Sequence, residues 1–339
     1  MIEIVSPHLS TLYQDLVDAH LGRTPGDRPG GAPFRRIVRG KPYWYASERS
    51  GARIVQRYLG PDNEAVRARI DALAAARDEG RTFETRAAEM VAQLRAARLP
   101  TLDPASGRIL AALSRAGAFD VGATLVGTAA FRLYDLELGR RVSRAAPAQT
   151  QDIDIASFQA LSVALAGDPQ TPTSCNLVEA LASLSLSPAA SLDPQGRSSR
   201  WRSGGLPALD ILAPSFDVDQ GLVWLEALGV WAQGLHFLGF LLADPIPAVG
   251  LYRHGVLVRI PKPERFAIHK LILAQLRAGP GIAKRPKDLA QARALALALA
   301  EDRSAELRAA HEEALARGPR WREAIAASLA MLPEVARVL

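Results

Sequence analysis

Residues Leu125–Ile155, LVGTAAFRLYDLELGRRVSRAAPAQTQDIDI, decide the fold of this chain. The run VGATLV that ends at Val126 is short and apolar and predicts a buried strand. Gly127 and Thr128 follow, and AAFRLYDLEL predicts a helix. Backbone N–H groups converge at a helix N-terminus, where they favour an anion. Glycine lets the backbone approach a phosphate closely and threonine adds a hydroxyl, so Gly127 and Thr128 are candidate phosphate ligands. Thr128 is also a good N-cap residue, and both roles can hold together. The stretch closes on TQDIDI, a strand pattern. Strand side chains alternate, so Asp152 and Asp154 point to one face. Adjacent carboxylates repel each other unless a cation lies between them. Hard oxygen ligands suit Mg²⁺.

Gly-Thr at a strand-to-helix turn, followed by Asp-x-Asp on the next strand, resembles the polymerase-β-like nucleotidyltransferase superfamily. VGTAAFRLYDLELG with TQDIDIA resembles its bacterial members. The insert GRRVSRAAPAQ lengthens the gap between the two motifs. The resemblance runs from about residue 95 to about residue 300, and more weakly over 35–60. It implies an α+β fold: a mixed sheet flanked by helices, with an N-terminal β-hairpin/helix segment and a C-terminal helical domain. It also implies a third acid on a later strand, which Asp210 in LPALDILAP fits. Asp152 and Asp154 would then hold two Mg²⁺ (or Mn²⁺) ions, with Asp210 completing the acceptor-side site. The implied reaction moves an NMP from an NTP, ATP among them, to a hydroxyl and releases pyrophosphate.

HKLILAQLR and KRPKDLAQA resemble the C-terminal signature of related nucleotidyltransferases. Carried over, Lys270 touches the triphosphate and Lys287 the nucleotide or acceptor phosphates, while Asp288 caps its helix and fixes the loop. Three acceptors stay open: RNA, especially a tRNA 3′ end; a protein hydroxyl; or a small molecule such as an aminoglycoside. The alternative is a catalytically silent nucleotide- or nucleic-acid-binding module of the same fold.

The 339 residues have room for two or three domains. The expected division is 1–95, a small β-sheet plus a long helix; 96–222, the nucleotidyltransferase core; and 223–339, mostly helical. The single Cys175 excludes an intramolecular disulfide framework and favours a reducing compartment. No apolar run has the length of a membrane span, and the N-terminus lacks the basic start of a secretory signal. The expectation is a cytoplasmic protein without a membrane partner. A net charge of +6 permits a polyanionic partner. Four of the five lysines fall within 262–287. The histidines lack paired ligand spacing, and there is no Walker A, GxGxxG or GxSxG sequence.

Along the rest of the chain, HLSTLYQDLVDAHL predicts a helix and residues 33–64 a β-hairpin or small meander. The aromatics of that meander, Tyr43-Trp44-Tyr45 among them, are either a basic stacking surface for nucleic acid or the sheet's own core. Residues 62–99 have helical spacing. SFQALSVALAGD predicts a short helix, SSRWRS with LPALDILAP a hairpin, and AVGLYRHGVLVRIP another. Arg132, Arg140, Arg141 and Arg144 flank the expected cleft and are either contacts for acceptor phosphates or, the favoured reading, solvated cations of an exposed loop.

Overall fold

A computed structural model describes residues 2–23, 32–50, 53–146, 161–165, 175, 177–191, 193–215 and 221–339. Helix α1 (Pro7–Leu21) buries Tyr13, Leu16 and Val17. Strands β1 (Ala32–Val38), β2 (Lys41–Ser50) and β3 (Arg53–Pro61) form an antiparallel meander in that order. Arg39 and Gly40, which join β1 to β2, both have positive φ, as two-residue hairpin turns require. Asn63 caps α2 (Glu64–Ala96), accepting the Val66 N–H at 2.9 Å. This 33-residue helix buries Val66 and Ile70 near its start and Ala87, Met90, Val91 and Leu94 near its end, with no buried residue between the two groups.

Asp103 caps α3 (Pro104–Arg115), accepting the N–H groups of Ala105 and Ser106. Then come β4 (Ala123–Val126), α4 (Gly127–Glu137), α5 (Val142–Ala145), β5 (Leu161–Leu165), α6 (Leu177–Ser183), β6 (Ser187–Pro188) and β7 (Arg200–Arg202). Next are β8 (Leu209–Pro214), β9 (Leu222–Leu225), β10 (Val230–Leu235), α7 (Leu238–Leu241), β11 (Ile246–Gly250) and β12 (Val256–Ile260). The chain ends in α8 (Pro263–Leu276), a 3-10 turn (Gly279–Lys284), α9 (Arg285–Asp302), α10 (Ser304–Ala316), α11 (Pro319–Ala330) and α12 (Pro333–Ala336).

The central sheet has the order β4-β5-β8-β10-β9, with β6 and β7 attached through β8. β8 pairs in parallel with β5 and β10, and the other pairings are antiparallel. A mixed sheet with helices is the α+β arrangement expected. The expected division between 222 and 223 falls inside β9, and β9 and β10 extend this sheet beyond β8. β11 and β12 form a separate hairpin.

Two expectations need correction. SFQALSVALAGD contains strand β5, not a helix, and β5 lies between β4 and β8. A five-residue apolar run is ambiguous between a buried helix and a buried strand, and here two open strand edges decide it. The loop arginines are also not all solvated, since Arg140 and Arg141 are buried. Arg140 binds Glu301 at 2.6 Å and Asp302 at 2.5 Å, at the end of α9. Arg141 donates to the carbonyls of Ala97 and Arg98, satisfying the open C-terminal end of α2.

The core continues from the sheet into the C-terminal helices. Phe131 and Tyr134 of α4 meet Phe266 of α8, with centroids 6.0 and 5.3 Å apart. The Tyr134 hydroxyl donates to the Pro261 carbonyl at 2.8 Å. Among the described residues, no helix is long and apolar enough to cross a membrane.

Candidate nucleotide site

The register of the sheet places two of the expected site elements level with each other. Val126 is opposite Ser162 on β5, and Ser162 is opposite Asp210 on β8. The Gly127 turn therefore leaves β4 on the same transverse line as Asp210, roughly 10 Å away across two strand spacings. Leu209, Ile211 and Ala213 of β8 point into the core, which turns Asp210 to the partly exposed face.

Gly127 has φ +73 and opens α4. The cap position falls to Val126, with no side-chain cap hydrogen bond. Thr128 is thus inside the first turn, not at the N-cap. The leading N–H groups of a helix have no intrahelical partner, and here no cap side chain answers them. Among the described residues, a Cβ on Gly127 would meet nothing within 4 Å. Gly127→Ala is expected to lower stability by about 1–2 kcal/mol, the cost of left-handed backbone for an L residue, and to weaken NTP binding. Urea unfolding and NTP titration check the two effects separately. A stability loss with unchanged NTP affinity would reduce Gly127 to a turn residue.

Asp210 is ion-paired. Arg200, its direct partner on β7, donates from Nε at 2.5 Å and from a terminal nitrogen at 2.7 Å, a two-pronged contact. Asp152 and Asp154 lie outside the described residues. Among the described residues, no group of three or more His, Cys, Asp or Glu side chains could hold a metal ion.

The expected lysines gather around one buried acid. Lys270 of α8 is 6% exposed and donates to Asp288 Oδ1 at 2.6 Å. Arg277 donates to Asp288 Oδ2 at 2.8 Å. Asp288 lies in the first turn of α9, so it fixes the loop by tying α8 to α9, and the helix has no side-chain cap at Lys284. Burial works to raise the Asp288 carboxyl, but Lys270 and Arg277 outweigh it and hold it below the usual carboxylate range. Burial lowers Lys270, against the attraction of Asp288. Burial also lowers the half-buried Lys287, and the charge of Lys270 is the next largest cause, with Lys284 and Arg277 adding to it. Lys270 and Arg277 thus bind one carboxylate, and Lys284 and Lys287 add positive charge beside them, a field that favours an anion. His269 is pushed down to about 3, first by burial and then by Lys270, so it is neutral at neutral pH.

The lysine cluster and the Gly127 turn are linked through the core. Phe131, one turn into α4, stacks on Phe266, and the Lys270 ammonium is 5.3 Å from the Phe266 ring. Arg200 and Arg277 are the partners that sequence reasoning did not single out, and Arg140, read there as solvated, is a buried ion-pair partner. Only Arg200 had a local signal, because its hairpin with β8 was readable although its register was not.

A sequence model described as nucleotidyltransferase matches residues 104–316, more than half of the chain. The chain belongs to this nucleotidyltransferase family. The matched stretch contains Gly127, Thr128, Asp210, the Asp288 cluster and the segment that carries Asp152 and Asp154. The nucleotidyltransferase match thus starts with α3 and ends with α10. A second model, of a domain of unknown function, matches residues 9–68. No curated protein and no solved structure matches the chain.

Proposed function

We propose that this nucleotidyltransferase moves a nucleoside monophosphate from an NTP to a hydroxyl and releases pyrophosphate, using Mg²⁺ or Mn²⁺. The observation that supports this most is the line Val126–Ser162–Asp210, which sets the open helix start at Gly127 level with a surface carboxylate. Three aspartates, Asp152, Asp154 and Asp210, offer only hard oxygen donors, the chemistry that suits Mg²⁺. Asp210 joins such a set once Arg200 releases it. Bound divalent ions would neutralise triphosphate charge and lower the pKa of the acceptor hydroxyl.

The chain's own groups supply the rest. The first-turn N–H groups of α4 and the bare backbone of Gly127 receive phosphate oxygens, and the Thr128 hydroxyl donates a further hydrogen bond. Lys287 gains from an anion because its neighbours repel its charge. Lys270, tied to Asp288, contributes positive field and holds α8 against α9. The acceptor is an RNA end, a protein hydroxyl or a small molecule. The Arg200 ion pair favours a second reading, a silent module that binds nucleotide without turnover.

The test is transfer of label from each α-³²P-NTP, with Mg²⁺ or Mn²⁺, into total RNA, total cell protein and the small-molecule fraction of a cell extract. Wild type runs beside Asp152→Ala/Asp154→Ala. Label is expected with wild type and at background with the variant, and the labelled fraction identifies the acceptor class. Metal-dependent NTP binding with no label in RNA, protein or small molecules would establish the silent module. Absence of both label and binding would sink both readings.

A further inference from the structure

The two faces of the N-terminal sheet differ. One is packed: the Trp44 indole donates to Asp62 at 3.0 Å, Ala46 is buried, and Gly60 lies against Val66 of α2. Gly60 also marks the β3 side of a bulge at Trp44/Tyr45. The other face carries four rings. Phe34, Tyr45 and Tyr58 are direct partners across the three strands, and Tyr43 lies beside Tyr58. Successive centroids are 5.8 Å (Phe34–Tyr45), 5.5 Å (Tyr45–Tyr58) and 6.0 Å (Tyr58–Tyr43) apart. Among the described residues, none of the four belongs to the hydrophobic core. Tyr58 is 53% exposed and Ile54, on the same face, 67%. The rings touch one another, with Tyr58 exposed and Phe34, Tyr43 and Tyr45 half-buried, so the cluster keeps a solvent-accessible side.

The charge of the protein is concentrated in the same sheet, on both of its faces, with Arg35 on the packed face paired to Asp62. Residues 32–61 contain seven Arg and Lys against one acid, Glu48. That excess equals the net charge of +6 of the whole chain, so the remainder is balanced. Arg36 is on the ring face, and Arg39 and Lys41 flank the turn at one end of it, all exposed. A partner must therefore be a polyanion that also presents flat rings. A single-stranded polynucleotide does both, whereas a duplex hides its base faces.

We infer that the Phe34–Tyr45–Tyr58–Tyr43 face binds single-stranded nucleic acid by base stacking, with Arg36, Arg39 and Lys41 on the phosphates. The inference does not rest on the transfer reaction, because binding is read without NTP or metal. The experiment uses the full chain and labelled oligo(U), oligo(dT) and a duplex, each of roughly twelve nucleotides, a span within known stacking platforms. Anisotropy is followed across a salt series. The single strands are expected to bind more tightly than the duplex, and their relative affinity tells RNA from DNA. Tyr58→Leu keeps apolar bulk on the sheet and is expected to weaken binding roughly tenfold, while Tyr58→Phe keeps the ring and the affinity. Arg36→Ala is expected to reduce the slope of log affinity against log salt by about 0.7. Equal loss in the Leu and Phe variants, or a duplex bound as tightly as the single strands, would overturn the inference. Failure to bind either strand at low salt would also overturn it. Concentration-dependent self-association abolished by Tyr58→Leu would then assign the face to a second copy of the chain.

Discussion

Asp288→Asn is expected to destabilise the protein by about 3–5 kcal/mol, the usual cost of removing one partner from a buried ion pair. Asp288 is 2% exposed and both its oxygens are engaged, by Lys270 and by Arg277. Asparagine has nearly the same shape but no charge, so Lys270 would remain buried without a counter-charge. The loss of favourable charge in the first turn of α9 adds a smaller amount in the same direction. Urea unfolding at neutral pH measures the effect. The double variant Asp288→Asn/Lys270→Met is expected to recover half or more of the loss, since a buried pair replaced by uncharged groups costs far less than half a pair. A loss below about 1 kcal/mol in the single variant would show that Lys270 is held neutral or reached by water.

Glu137→Gln is expected to stabilise the protein above neutral pH. Glu137, at the end of α4, is hydrogen-bonded by the Tyr13 hydroxyl of α1. Burial pushes its carboxyl up to about 7, against the pull of that hydrogen bond and of Arg303. Its folded pKa therefore exceeds its unfolded one. Between about pH 4.5 and 7 the folded state binds a proton that the unfolded chain has released, so stability falls as pH rises through that window. Below it Glu137 adds no ionisation penalty, and above it the full penalty is about 3 kcal/mol. Glutamine keeps an acceptor for Tyr13 without this charge. The stability difference between variant and wild type, measured by urea unfolding from about pH 4 to 8.5, is expected to grow in favour of glutamine by about that amount. A difference independent of pH would mean that Glu137 titrates normally.

Both networks show which parts of the molecule were legible in the sequence. Helix α1, the β1–β3 meander, α2, the β7–β8 and β11–β12 hairpins and α8 carry local signals: a cap, a turn or a hydrophobic period. These act over a few residues, and the structure has all of them. The turn at Gly127 and the strand that carries Asp210 were legible for the same reason. LSVAL in β5 was not, because its conformation is set by the strand edges on both sides of it. Ion pairs are the other gap. Arg140 finds Glu301 and Asp302, and Tyr13 finds Glu137, across more than a hundred residues. No periodicity encodes such pairings, since they depend on how completed helices pack. Arg200 against Asp210 is an intermediate case: the hairpin is local, but a slip of one residue would separate the two and turn Asp210 inward.

The middle of α2 has a mechanical consequence. From Ile70 to Phe83, whose ring meets His20 and packs against the core, the helix buries no side chain, and at 1.5 Å per residue that interval is about 20 Å of rod. One end of the rod is fixed to the aromatic sheet through Val66, and the other is clamped by Arg141 to the body that contains Gly127. That interval of α2 is in effect a spacer, roughly six stacked nucleotides long at 3.4 Å each. On a single strand of the kind inferred above, the sheet and the nucleotidyltransferase body would be offset along its length, with this part of α2 as the ruler between them.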